Sequence, residues 1–233
     1  MAKQLDLEEQ EQLDELKHFW KTYGNLITWA LIAVLGAFAA WNGYQYWQRT
    51  QALQAAALFD EVDRSAAAGD LGRLNRSLAD MKDKFGGTTY AQQAALLAAK
   101  VYFEADKADA AKDALLWVSE KASDEGYQAV ARLRLAGLMV SQKAYDDALK
   151  QLDAKFPKDF EPLVFDRKGD IAILQGKTPE AIANYEKAYK LFGERAEYRR
   201  LVEVKLNALG VDPLAGVVAP TNAAAASVPG DKK

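Results

Sequence analysis

The strongest constraint in this sequence is a stretch of 27 residues without a charged side chain, between Lys21 and Arg49. At a helical rise of about 1.5 Å per residue, it would extend roughly 40 Å, more than the roughly 30 Å hydrocarbon core of a bilayer. Aromatic rings, which settle at headgroup depth, lie toward both ends. The pattern predicts a transmembrane helix over residues 25–47, with these side chains at the membrane interface: Trp29, Trp41, Tyr44, Tyr46 and Trp47.

Two other interpretations of this stretch stay open. Ala37-Phe38-Ala39 fits the small-x-small pattern of a signal cleavage site, and Leu26 to Ala40 has the length of a signal h-region. Against cleavage, residues 1–21 hold six acids and three lysines, whereas a signal n-region is positively charged. The stretch could also be a buried helix of a globular core, although such helices usually have only about 10 to 14 apolar residues.

Flanking charges indicate an orientation for the predicted span. Lys17 and Lys21, together with His18, precede it, while Arg49 is the only close positive charge after it. Cytoplasmic flanks are enriched in lysine and arginine, so we expect residues 1–24 on the cytoplasmic side. The inverted topology, with the following domain in the cytoplasm, stays an alternative.

Small residues recur within the predicted span at a spacing that suits close contact between helices in lipid. The candidate contact positions are Gly36, Ala39, Ala40 and Gly43. Ordinary membrane composition would produce the same pattern.

Charge and residue content exclude several classes of function. Residues 49–210 carry 25 basic and 25 acidic residues, so the domain lacks the positive field that binds nucleic acid. There is no cysteine, and the only histidine is His18. A histidine-based triad, a thiolate metal site and a zinc-protease motif are therefore absent from residues 48–210. We expect no catalytic residues, no metal and no cofactor.

The rest of the chain up to Gly210 has the apolar periodicity of successive helices. Three turn segments align, namely Asp106–Ala111, Lys143–Ala148 and Gly176–Ala181, and their closing alanines fall 37 and 33 residues apart. Tetratricopeptide repeats have a period of about 34 residues. The sequence therefore predicts an all-α chain, in which a transmembrane helix precedes a tetratricopeptide-like solenoid over residues 48–210. A nonrepetitive helical bundle stays an alternative.

Each aligned turn carries the same packing pattern on both sides. Twelve residues before the closing alanines stand the small residues Ala99, Ala136 and Gly169; four residues after them stand the large residues Leu115, Leu152 and Tyr185. Antiparallel helices approach closely only where the facing positions carry almost no side chain. The pattern thus predicts three closely packed helix pairs.

Helical spacing from the small positions predicts an apolar lining for the concave face of the solenoid. Its members are Leu96, Phe103, Leu133, Val140 and Ile173. These residues could instead belong to the core. We expect residues 194–209 to form a closing amphipathic helix with a charged outer face. Residues 211–233, rich in alanine, valine and proline, are predicted to be disordered.

The order of these parts resembles the YfgM family. The resemblance is strongest in the acidic stretch Glu9–Gly24 and in the aromatic exit from the span, Trp41-Asn-Gly-Tyr-Gln-Tyr-Trp47. Members are inner-membrane proteins of Gram-negative bacteria with a periplasmic repeat domain, described as ancillary subunits of the SecYEG translocon. The resemblance implies association with SecYEG and with a PpiD-like periplasmic chaperone, but no catalytic residue.

The resemblance implies a membrane-anchored scaffold that assists exported proteins on the periplasmic side. Whether it contacts unfolded exported polypeptides directly or only through partner proteins stays open. An interaction module for another envelope complex, such as division or outer-membrane assembly machinery, is the alternative.

Overall fold

A computed structural model describes residues 7–193 and 196–214 of the chain. All regular structure within these ranges is helical, which confirms the predicted all-α class. The α-helices are α1 (Leu7–Ala67), α2 (Leu71–Phe85), α3 (Thr89–Glu104), α4 (Ala108–Lys121), α5 (Glu125–Ser141), α6 (Tyr145–Leu152), α7 (Glu161–Leu174), α8 (Thr178–Leu191) and α9 (Glu197–Ala208), with one 3₁₀ turn at Lys158–Phe160. The prediction for the tail lies outside the described residues from Ala215 onward.

The chain divides into two compact units, Met1–Ala56 and Ala57–Lys233. The first contains the uncharged stretch, inside the one described helix that is long and apolar enough to cross a membrane. Its large side chains are exposed: Leu26 retains 68% and Phe38 66% of its accessible surface. The alternative of a buried core helix is therefore wrong within this chain, because a core helix would hide these side chains against its neighbours.

In the second unit, the helices α3 to α8 form three antiparallel pairs joined by identical turns. Asp106, Lys143 and Gly176 occupy the left-handed region, with φ of 57°, 61° and 74°. Each donates its N–H to the carbonyl three residues back, and the next residue donates to the carbonyl five residues back, as in Tyr102 O to Lys107 N at 2.8 Å. These paired bonds satisfy the last carbonyls of the first helix and reverse the chain.

The same turn also occurs at two further places. Gly69 (φ 66°) joins α1 to α2, and Gly210 (φ 79°) follows α9. Successive left-handed residues are thus 37, 37, 33 and 34 positions apart along the chain. Leu74 stands where the later units have their closing alanine. The backbone turn therefore recurs over more of the chain than the pattern of small and large packing residues does.

The predicted small positions lie where the helices of each pair meet. Ala99 and Ala136 are buried, as are the large partners Leu115 and Leu152. At Gly169 the two helices approach so closely that a Cβ there would lie 2.9 Å from Tyr185 Cζ and closer still to two other ring carbons. The last pair therefore accommodates a tyrosine ring by removing a side chain from the facing helix.

Helix α9 closes the solenoid, but its outer face differs from the prediction. Val202 and Leu206 are fully buried in a cluster with Tyr185 and Tyr189 of α8. Val204, however, is 63% exposed and Leu201 45%. Residues four apart share one helical face, and Val202 and Leu206 already occupy the inner one. The outer face is therefore partly apolar, not only charged.

We expect Gly169→Ala to lower the free energy of unfolding by about 1–3 kcal/mol, because the new methyl group overlaps the Tyr185 ring. The matched control is Gly137→Ala in α5, where a Cβ would have no neighbour within 4 Å. That variant should be neutral or stabilising, by up to about 1 kcal/mol, because alanine favours the helix. Thermal denaturation of the full-length chain, followed by circular dichroism, measures both. Equal effects of the two substitutions would contradict the close-approach account.

Candidate functional site

The structure separates the five residues of the predicted groove by exposure. Phe103 is 51% exposed and Ile173 38%, while Leu96 retains only 8%. Leu133 and Val140 are half-buried. Leu96 thus belongs to the core, and the others reach the surface to different degrees. The proposal that they form a common groove therefore needs support beyond their register.

Phe103 lines a pocket of about 380 Å³ between α3, α4 and α5. Leu115 and Leu138, both buried, form its apolar floor together with Ala99 and Ala111. This volume lies in the range of ligand-binding pockets, about 300–1,000 Å³. The other four residues of the predicted groove do not line the pocket. The pocket lies between two successive helix pairs, with α3 and α4 on one side and α5 on the other.

The sequence prediction missed four of the lining residues: Lys100, Arg134, Gly137 and Leu138. Gly137 follows Lys100 by 37 residues, the repeat spacing that also separates Ala99 from Ala136. The absence of a side chain at Gly137 leaves the space beside Phe103 open, since a Cβ there would have no neighbour within 4 Å. A glycine at a repeat position that need not be small was the available signal.

A second distinctive cluster lies at the other end of the solenoid, where α9 packs on α7. Lys205 Nζ lies 2.7 Å from Asp166 Oδ1 and 2.6 Å from Asp170 Oδ1. Tyr198 donates its hydroxyl to Asp166 Oδ2 at 3.0 Å, and Tyr185 donates to Asp170 Oδ1 at 2.8 Å. Asp166 is almost completely buried, at 1% exposure. Its register position in α3 and α5 is held by Leu96 and Leu133, so the last pair replaces an apolar contact by an ionic one.

The two tyrosines of this cluster stay protonated well above neutral pH. Burial, with Asp166 beside the ring, raises the pKa of Tyr198 to about 12. Burial and the hydrogen bond to Asp170 likewise raise the pKa of Tyr185. Because a raised tyrosine pKa favours the neutral form in the folded state, these contacts stabilise the fold below pH of about 10 and weaken as the pH rises toward 12. At physiological pH the cluster is therefore a structural fastening for α9.

In the first unit, the five predicted interface aromatics are all exposed along α1. Tyr46 retains 75% of its accessible surface and Trp29 66%. Tyr44 and Trp47 lie stacked, with ring centroids 6.1 Å apart, and Tyr44 accepts a hydrogen bond from Gln48 Nε2 at 2.9 Å. Rings at this end of the span therefore support one another. Their role at a membrane interface stays a prediction.

The candidate contact positions in the span are also exposed. At Gly36 and Gly43 a Cβ would have no neighbour within 4 Å, and Ala39 and Ala40 lie on the helix surface. Nothing in the chain itself covers this face in the described residues. In the same residues, no group of three histidine, cysteine, aspartate or glutamate side chains could hold a metal ion.

Comparison with known proteins places these features in one family. A model of the tetratricopeptide repeat-like domain matches residues 17–211, which confirms the predicted repeat class and includes the uncharged stretch. A protein of Neisseria gonorrhoeae named ancillary SecYEG translocon subunit is 34% identical over 207 residues, covering 87% of this chain and 98% of its own length. The chain belongs to the YfgM family.

Further family members agree over the same extent. Proteins of the same name from Haemophilus influenzae and Escherichia coli are 27% and 26% identical, each over 87% of this chain and at least 97% of their own length. No solved structure matches the chain. These relatives are all named as ancillary subunits of the SecYEG translocon, and the family resemblance drawn from the sequence is confirmed.

We expect Lys205→Met to destabilise the domain by about 3–5 kcal/mol, because it leaves the buried Asp166 carboxylate without its counter-charge. The control is Lys190→Met in α8, an exposed lysine that should change stability by less than about 0.5 kcal/mol. Hydrogen exchange of full-length protein should show loss of protection in α9 for the first variant only. Unchanged protection in Lys205→Met would show that apolar packing alone holds α9.

Proposed function

We propose that this chain is a single-pass inner-membrane subunit associated with the SecYEG translocon, which presents its helical repeat domain to exported proteins on the periplasmic side. The observation that carries the proposal is the 34% identity to a named ancillary SecYEG translocon subunit across nearly all of that protein. In this arrangement residues 1–24 are cytoplasmic, residues 25–47 span the membrane, and residues 48–210 form the periplasmic domain.

The exposed apolar surface of α1 supports the anchoring part of the proposal. Its large apolar side chains need a nonpolar surrounding, and lipid supplies one. The family match includes this stretch, which favours a retained anchor over a cleaved signal peptide. An anchor beside the channel raises the effective concentration of the repeat domain near emerging chains, so that weak binding suffices.

The pocket beside Phe103 supports the binding part of the proposal. Paired helices in a solenoid create extended concave surfaces that bind partners. The pocket exposes the apolar side chain of Phe103, a type of side chain that a folded domain usually buries. Short apolar segments of an unfolded polypeptide are suitable occupants, because folded proteins hide such segments. A PpiD-like periplasmic chaperone, expected from the family resemblance, would act on the same emerging chains.

The experiment is site-specific photocrosslinking combined with copurification. A photoreactive residue replaces Phe103 in the pocket or, as the control, Glu120 on the exposed surface of α4. The chain is purified in mild detergent from cells holding a stalled secretory polypeptide. We expect SecYEG subunits to copurify with both variants, and crosslinks to the stalled polypeptide from Phe103 only.

Two results would contradict the proposal. Copurification with division or outer-membrane assembly machinery in place of SecYEG would assign the chain to a different complex. Crosslinks to the secretory chain from Glu120 alone would remove the pocket from the function, while leaving the association with SecYEG intact.

A further inference from the structure

The pocket between α3, α4 and α5 has a one-sided charge. Two charged residues line it, Lys100 and Arg134, and both are positive, while the floor of Leu115, Leu138 and Phe103 is apolar. This local excess stands out in a domain whose basic and acidic residues are equal in number over residues 49–210. An occupant that places a carboxylate beside its apolar group would complement both parts of the pocket.

The existing contacts of the two basic residues leave them available. Lys100 Nζ lies 3.7 Å from Glu104 Oε1 one helical turn away, with both side chains more than half exposed. Exposed pairs of this kind contribute only about 0–1 kcal/mol, so a better-placed carboxylate can compete. Arg134 donates one N–H to the carbonyl of Leu96 at 3.4 Å, which uses one of the five guanidinium donors.

Partly exposed apolar side chains recur beyond the pocket at the same repeat position. Phe103, Val140 and Ile173 follow one another at the 37- and 33-residue spacing of the turns, and the carbonyl of each accepts a hydrogen bond from the N–H of the left-handed residue of its turn. One partly exposed apolar side chain therefore stands at the same position in the first helix of each of three successive pairs, α3, α5 and α7. An occupant that uses such a row must be extended and carry side chains at intervals, as a polypeptide does.

We propose that this pocket binds an extended polypeptide segment in which a bulky apolar side chain stands next to an aspartate or glutamate. The apolar side chain enters the space that Gly137 leaves open against Phe103 and Leu138, and the adjacent carboxylate pairs with Arg134 and Lys100. The inference rests on the proposed function in taking a polypeptide as the occupant. It adds a selectivity, because segments with a lysine or arginine beside the apolar residue are disfavoured.

The test uses the purified full-length chain in lipid nanodiscs, so that detergent does not fill the pocket. Three fluorescent peptides share one serine-rich scaffold and differ only at a central pair, which is Phe-Asp, Phe-Lys or Ala-Asp. Fluorescence anisotropy gives the dissociation constants. We expect Phe-Asp to bind at least about tenfold more tightly than either of the others, since loss of a charged hydrogen bond or of a buried ring each has about this effect.

Variants assign the selectivity to the pocket. Arg134→Glu should reverse the preference, so that the Phe-Lys peptide binds more tightly than the Phe-Asp peptide. Gly137→Leu, which fills the pocket, should weaken binding of both phenylalanine peptides about tenfold or more. Arg76→Gln on the exposed surface of α2 is the matched control and should change nothing. The circular dichroism melting curve of each variant shows whether it is folded. If Gly137→Leu does not fold, the reversed preference in Arg134→Glu still tests the selectivity.

Three outcomes would overturn the inference: equal affinity for the Phe-Asp and Phe-Lys peptides, no reversal in Arg134→Glu, or full displacement of the Phe-Asp peptide by a fatty acid at equal concentration, which would show a lipid site. Each leaves the copurification with SecYEG untouched. Conversely, charge-selective binding by a chain that fails to copurify with SecYEG would contradict the proposed function alone.

Discussion

The contact on which the repeat domain depends is the close approach of the two helices in each pair, seen most clearly where the Tyr185 ring lies against Gly169. A larger side chain in place of Gly169 would push the two helices apart. Leucine against alanine achieves the same approach in the two preceding pairs. The pairing of small with large residues therefore sets the spacing of the two helices in each pair.

Much of the fold could be predicted from the sequence, because its determinants are local and repeat. The turns at Asp106, Lys143 and Gly176 follow from short segments, and the uncharged stretch is visible without any structure. The pocket could not be predicted in the same way. Whether Leu96 is buried or exposed depends on how α5 crosses α3, which the period does not contain. Gly137 is visible in the sequence as a glycine at a repeat position that need not be small, but the open space beside it depends on tertiary packing.

Charge shows a similar division between what is local and what is tertiary. The domain has equal numbers of basic and acidic residues, yet the two signs are not evenly distributed in the structure. Lys205 is drawn inward between two carboxylates of α7, which fastens the closing helix, while Lys100 and Arg134 remain at a pocket that no acidic residue lines. Basic side chains thus hold the closing helix α9 at one end of the repeat domain and favour an acidic occupant at the pocket. The two sites differ in burial. Asp166 is desolvated and needs a counter-charge, whereas the exposed Lys100 and Arg134 side chains remain hydrated in the absence of a partner.

We propose that a single span separates residues 1–24 on the cytoplasmic side from the repeat domain on the periplasmic side. The chain has no cysteine, so single cysteines introduced at Gln12 and at Lys121 report on each side without interference. A membrane-impermeant maleimide is added to intact spheroplasts and, separately, to permeabilised ones. With residues 1–24 in the cytoplasm, we expect labelling of Lys121→Cys in intact spheroplasts and of Gln12→Cys only after permeabilisation. Labelling of Gln12→Cys alone in intact spheroplasts would contradict it.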